Sequence, residues 1–139
     1  LFWVRHMNFR KKFKKGGTIF HQGTPSDCAF IIDSGVVEII EDTLEGQKVI
    51  GCLTENEIFG EMGLIDGQPR SATARALEDS VVYVMTRKNF ENLVKEKPEA
   101  LLPILKILTG RLRETMGFLK LGARQEKTRT TTNNKLAIH

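Results

Sequence analysis

The chain changes its apolar spacing once. Up to residue 85 its apolar positions come in short runs, at 18–20, 29–32, 36–41, 47–53, 73–76 and 80–85. Turn-forming clusters separate them: Gly23-Thr24-Pro25-Ser26-Asp27, Asp33-Ser34-Gly35, Asp42-Thr43-Leu44-Glu45-Gly46 and Leu77-Glu78-Asp79. Short strands with turn signals roughly every 8–12 residues predict a β-sandwich or barrel. Residues 9–15 alternate Phe with basic residues and are expected to form one amphipathic turn of helix, broken by Gly16-Gly17. After residue 85 the period lengthens. Thr86 is a helix N-cap candidate, and Phe90, Leu93 and Val94 give 87–95 one apolar face. Beyond Pro98 a long helix is expected over 99–120. Its seam is Leu101, Leu105, Leu108, Leu112, Thr115, Leu119, at heptad-like intervals, and Ile104, Ile107 and Gly110 lie on a second face. Pro103 and Gly110 predict a bend. The stretch 122–139 is polar and lacks a helical period, so it is expected to be disordered or loosely attached. These patterns give a basic arm over 1–15, one domain over 16–121 and a polar tail.

Charge changes the picture only once it is located. The net +4 suggests nucleic acid until one sees that residues 1–15 hold six basic residues and no acid. Residues 16–69 hold ten acids and one base, Lys48. The positive excess is terminal, which reads as a solvated arm or as a contact for nucleic acid or lipid. His6-Met7 resembles a cloning junction. Cys28 and Cys52 have no C-x-x-C spacing and no His cluster, so they read as reduced, partly buried thiols of a cytoplasmic protein. No apolar run approaches the ~20 residues of a membrane span.

The stretch between the two strand regions carries the chemistry: Phe59-Gly60-Glu61-Met62-Gly63-Leu64-Ile65-Asp66-Gly67-Gln68-Pro69-Arg70-Ser71-Ala72. Its glycines and proline argue for a loop with at most a helical turn. Glycines flanking Glu61 let the backbone approach a small ligand. A carboxylate accepts hydrogen bonds from hydroxyls, and a guanidinium can clamp a phosphate through two parallel N–H bonds. Sugar hydroxyls on Glu61 and a phosphate on Arg70 together describe a nucleotide. The alternative is a surface loop with a chance Glu61–Arg70 salt bridge, which would contribute only about 0–1 kcal/mol and would explain none of the glycines.

The segments Phe59-Gly60-Glu61-Met62-Gly63-Leu64 and Pro69-Arg70-Ser71-Ala72 resemble, at matching spacing, the phosphate-binding cassette of the cyclic nucleotide-binding domain family. The spacing Gly16…Gly23…Asp27…Phe30…Gly35 resembles the family's opening, so the likeness extends over about residues 16–119. It implies a mainly β fold: an eight-stranded jelly roll followed by a short helix and a long C-terminal helix. It also implies that Glu61 binds the ribose 2′-hydroxyl, and that Arg70 and Ser71 bind the cyclic phosphate. Gly60, Met62 and Ala72 would complete the cradle, with backbone N–H groups near Gly60 and Ala72. Counted without gaps from Arg70, Thr115 falls where catabolite-activator-type members place an adenine-contacting threonine. Arg111 falls where an arginine can reach the ribose-binding glutamate. Both could equally be ordinary surface residues of the helix. Ser71, where members favouring cyclic GMP often carry Thr, points to cyclic AMP.

The expected function is therefore a cyclic nucleotide sensor, not an enzyme, that repositions its C-terminal helix when cAMP or cGMP binds. The two apolar faces of that helix suggest a homodimer. Other readings compete. A metal-dependent jelly-roll enzyme needs two or three converging histidines, and only His21 lies in the barrel region, so no metal is expected. The chain could be the sensor half of a catabolite-activator-type transcription regulator, or a structural module with a vestigial site. After the long helix only about twenty residues remain, too few for the trihelical unit of a helix-turn-helix, so DNA binding is not expected of the chain as given.

Overall fold

The computed structural model describes residues 9–138, and the side chains of residues 9–122. Residues 1–8 of the basic arm and the side chains of nearly all of the polar tail lie outside the described residues. Two compact units are present, one ending at Lys97 and the other starting at Pro98.

The first unit holds eight strands: β1 Arg10–Phe13, β2 Thr18–Phe20, β3 Cys28–Ser34, β4 Val37–Thr43, β5 Gly46–Leu53, β6 Ile58–Phe59, β7 Thr73–Ala76 and β8 Ser80–Thr86. A short helix α1, Met62–Asp66, links β6 to β7, and α2, Arg87–Glu96, follows β8. All pairings are antiparallel, in two four-stranded sheets of order β1-β8-β3-β6 and β2-β7-β4-β5. This is the mainly β jelly-roll class expected from the resemblance.

The core forms where the inner faces of the sheets meet. Phe30 and Ile32 of β3, Val82 and Val84 of β8, Phe59 of β6, Val37 of β4 and Ala74 of β7 make one buried cluster. The residues from β3 and β8 are spaced by two, as the alternation of strand side chains requires. Burying such side chains contributes about 1.5–3 kcal/mol each, an upper estimate. Three phenylalanine rings cluster at the centre: Phe30–Phe59 centroids are 5.2 Å apart and Phe20–Phe30 5.8 Å, both stacked, and Phe20–Phe59 6.0 Å, tilted.

Residues 10–13 correct one expectation. They are an edge strand, not a helical turn: Arg10 pairs with Tyr83 and Phe13 with Ser80. Phe9 and Phe13 are four residues apart, a spacing that fits one face of a strand as well as of a helix, and pairing with β8 packs Phe13 on the core while Arg10 stays at the surface, 3.3 Å from Asp33. Seven residues are too few for propensity to override pairing with β8.

Thr86 does cap α2, accepting a hydrogen bond from the Asn89 N–H at 3.2 Å. The second unit opens with a 3-10 turn, Pro98–Ala100, and continues as α3, Leu101–Ile138. The helix thus runs beyond residue 120, the expected end. Pro103 falls in its first turn, where a missing N–H leaves no intrahelical bond unmade. Along the seam Leu105, Leu112 and Leu119 are exposed, whereas Ile104 is buried.

Candidate functional site

The cassette is built around one short helix. Gly60 has φ +74°, Glu61 occupies the N-cap position of α1, and Gly67 closes the helix with φ +72° and its N–H on the Gly63 carbonyl at 2.9 Å. The Glu61 carbonyl receives the Leu64 and Ile65 N–H groups at 3.1 and 3.3 Å, while its side chain takes no part in capping. Asp66 serves the turn instead, accepting the Gln68 N–H at 2.9 Å.

Glu61 is 8% exposed and Arg70 6% exposed, so both charged residues of the cassette are interior. Charged residues are seldom that buried without partners. Arg70 has several. Its Nη1 donates to the Gly60 carbonyl at 2.9 Å, and its Nη2 to the Cys28 carbonyl at 2.7 Å and the Cys28 Sγ at 3.6 Å. The guanidinium carbon lies 4.1 Å from the Phe20 ring centroid and 5.7 Å from that of Phe30. Asp27, largely exposed, brings a carboxylate oxygen to 3.8 Å. One nitrogen is left over: Arg70 Nε is buried and has no hydrogen-bond partner. Such a donor costs about 1–3 kcal/mol, and so calls for an explanation.

The Arg70 backbone is equally fixed. Its N–H donates to the Thr24 carbonyl and its carbonyl accepts from Gly23, both at 2.8 Å. The loop between β2 and β3 thus clips onto Pro69-Arg70-Ser71. Gly60 shows why only glycine fits there: a Cβ would lie 2.6 Å from Arg70 Nη1 and 3.1 Å from the Phe20 ring. At Gly63 a Cβ would collide with the Ser26 side chain, whose Oγ is buried without a partner. The Ser26 carbonyl in turn accepts from Arg87 Nη2 at 3.0 Å, tying the loop to the start of α2.

The remaining cassette residues divide by exposure. Ala72 is buried, while Met62 and Ser71 are exposed, with Ser71 Oγ 3.8 Å from Met62 Sδ. Arg111 and Thr115 belong to the second unit, where Thr115 Oγ1 donates to the Arg111 carbonyl at 2.9 Å. Neither cysteine is disulfide-bonded. Cys28 is half-buried, but Cys52 is exposed, which corrects the expectation of two partly buried thiols: Cys52 sits on the edge strand β5, with no further strand over it among the described residues. Burial pushes the Cys28 thiol above its ordinary range, the neighbouring Asp27 adds to this, and Arg70 opposes it. No group of three or more potential metal ligands occurs among the described residues, and no described helix is long and apolar enough to cross a membrane.

Sequence reasoning missed Phe20, Ser26 and Cys28. They lie 42–50 residues before Arg70 in the chain, and Cys28 contributes a carbonyl that any residue type could supply. Phe20 was the legible one, an aromatic residue three before the turn glycine Gly23.

Residues 10–97 match the family model described as the cyclic nucleotide-binding domain. The chain belongs to this family. The Cyclic AMP receptor protein of Thermus thermophilus is 33% identical over 106 residues, 76% of this chain and 49% of that protein. Among solved structures, the Thermus thermophilus catabolite activator protein superposes with a TM-score of 0.77 at 30% identity, covering 85% of this chain and 56% of that one. The cAMP-bound form of the EAL enzyme Bd1971 gives 0.61 at 35% identity, over 81% of this chain and 31% of that one. The chain spans about half the length of the first curated relatives it matches. The matched family is a regulatory binding domain, not a catalytic one.

Proposed function

We propose that the chain is a cAMP sensor in which Arg70 receives the cyclic phosphate and Glu61 the ribose 2′-hydroxyl. The observation that carries this reading is the unspent Arg70 Nε–H. Two carbonyls and an aromatic face already hold the guanidinium, yet one buried donor lacks an acceptor. An anionic oxygen supplied by a ligand removes that cost and adds a charge-assisted bond. This refines the expected clamp: each Nη already serves a backbone carbonyl while Nε serves none, so Nε–H is the buried donor that a ligand oxygen would satisfy. Backbone N–H groups near Gly60 and Ala72 complete the cradle, flanked by Met62 and Ser71.

Arg111 and Thr115 are assigned to ribose-side and adenine contacts from α3 by their spacing from Arg70 in the sequence. Ligand binding shifts α3 between two positions, to an extent set by the difference in ligand affinity between them. The exposed seam of Leu105, Leu112 and Leu119 favours pairing with a second copy of the chain. Calorimetry of the purified chain with cAMP and cGMP tests the central point. Saturable binding of cAMP, tighter than of cGMP, is expected, and heat from neither nucleotide overturns the reading.

A further inference from the structure

We propose that the Phe20 ring is the platform that sets the tilt of the Arg70 guanidinium, so that Phe20 is a positioning residue for phosphate capture. The inference rests on the cyclic nucleotide reading above. Two hydrogen bonds, Nη1 to the Gly60 carbonyl and Nη2 to the Cys28 carbonyl, pin one edge of a planar group. The other polar contacts, Cys28 Sγ at 3.6 Å and Asp27 at 3.8 Å, also fall on Nη2, so no polar contact holds the Nε side. A third constraint must come from a face, and the only aromatic centroid within 5 Å of the described guanidinium carbon is that of Phe20, at 4.1 Å. An aromatic face attracts the cation and is flat, so it holds the guanidinium plane and aims the remaining Nε–H.

Three further observations hold the ring itself in place. Phe20 packs against Phe30 and Phe59, with centroids 5.8 and 6.0 Å away. It ends β2, where it pairs with Ala74 across a register shift. The residues just after it are bonded to the Arg70 backbone, through Gly23 N–H to the Arg70 carbonyl and Arg70 N–H to the Thr24 carbonyl, both 2.8 Å. Ring and guanidinium are thereby registered to one another on two strands' worth of backbone. Gly60 shuts the neighbouring space, since a Cβ there would approach both the ring and Nη1. An aliphatic side chain at position 20 would preserve apolar filling but supply neither the flat face nor the attraction.

The test compares Phe20→Leu with Phe20→Tyr. Calorimetry with cAMP is expected to show about tenfold weaker binding for Phe20→Leu, and for Phe20→Tyr an affinity within about twofold of the parent. A second readout needs no ligand. In NMR spectra of the free protein, the Arg70 Nε–H proton should carry a ring-current shift in the parent and in Phe20→Tyr, and lose it in Phe20→Leu. Parent-like affinity in a folded Phe20→Leu protein overturns the platform, as does a Tyr variant as weak as the Leu one or an Arg70 signal indifferent to the substitution. Should Phe20→Leu fail to fold, Phe20→Met takes its place with the same expectations. A parent chain that binds neither cAMP nor cGMP overturns the nucleotide reading and this role with it, and is told apart from failure of the platform because the Arg70 ring-current shift persists.

Discussion

Arg70 and Arg111 are the same residue type in opposite situations. Arg70 is interior, with its Nη groups on two carbonyls, its plane over a phenylalanine and its backbone clipped to the β2–β3 loop. Arg111 stands on a helix whose other polar site candidate, Thr115, spends its hydroxyl on the helix's own backbone. The first arrangement is completed within one unit by residues 20–28 and 59–72. The second presents a stripe of leucines, Leu105, Leu112 and Leu119, still open to solvent. A guanidinium organised before any ligand arrives gives affinity at low cost in ordering. The helix instead keeps apolar side chains at the surface.

This contrast can be broken experimentally. The largest effect is expected at Arg70: in Arg70→Ala, calorimetry with cAMP should show binding at least tenfold weaker, because a hydrogen bond to a charged group contributes about 1.5–3 kcal/mol. An unchanged Kd would mean that the buried guanidinium is only structural. Gly60→Ala should come next, losing affinity and about 1–2 kcal/mol of stability in chemical denaturation, since it forces a side chain into left-handed backbone and into contact with Arg70 Nη1. On the helix side, Leu105→Ser with Leu112→Ser should abolish any self-association seen by sedimentation while leaving the melting of the barrel unit unmoved; loss of both together would tie the seam to folding instead.

The smallest effects concern the thiols. Exposed Cys52 should react with a maleimide at neutral pH well before Cys28, whose ionisation burial disfavours. The sign of the linkage follows. Because the folded state holds the Cys28 proton more tightly than the unfolded one, its contribution is complete below the ordinary thiol pKa and declines as pH rises above it. Cys28→Ser should flatten that alkaline decline, read as the difference in denaturation midpoint between pH 7 and pH 10.

Much of this molecule was readable before folding. Phe59 to Ala72 carried glycines, a carboxylate and a guanidinium close together in sequence, so local chemistry alone pointed to a nucleotide. The strands from β2 onward, the two-residue β6 excepted, were legible because turn residues punctuate them. β1 was not, since a seven-residue Phe-basic stretch fits either period and only pairing with β8 decides it. The extent of α3 was also misjudged, because the polar stretch after Lys120 offers no apolar period to follow.

That an arginine closely follows a glycine-flanked glutamate could be read from the chain alone, because those residues are near neighbours along it. The folded structure alone decided what Arg70 rests on and which of its nitrogens stays unspent. Phe20 and Cys28 reach it from far earlier in the chain, and contacts between residues so far apart in sequence leave no local pattern to read.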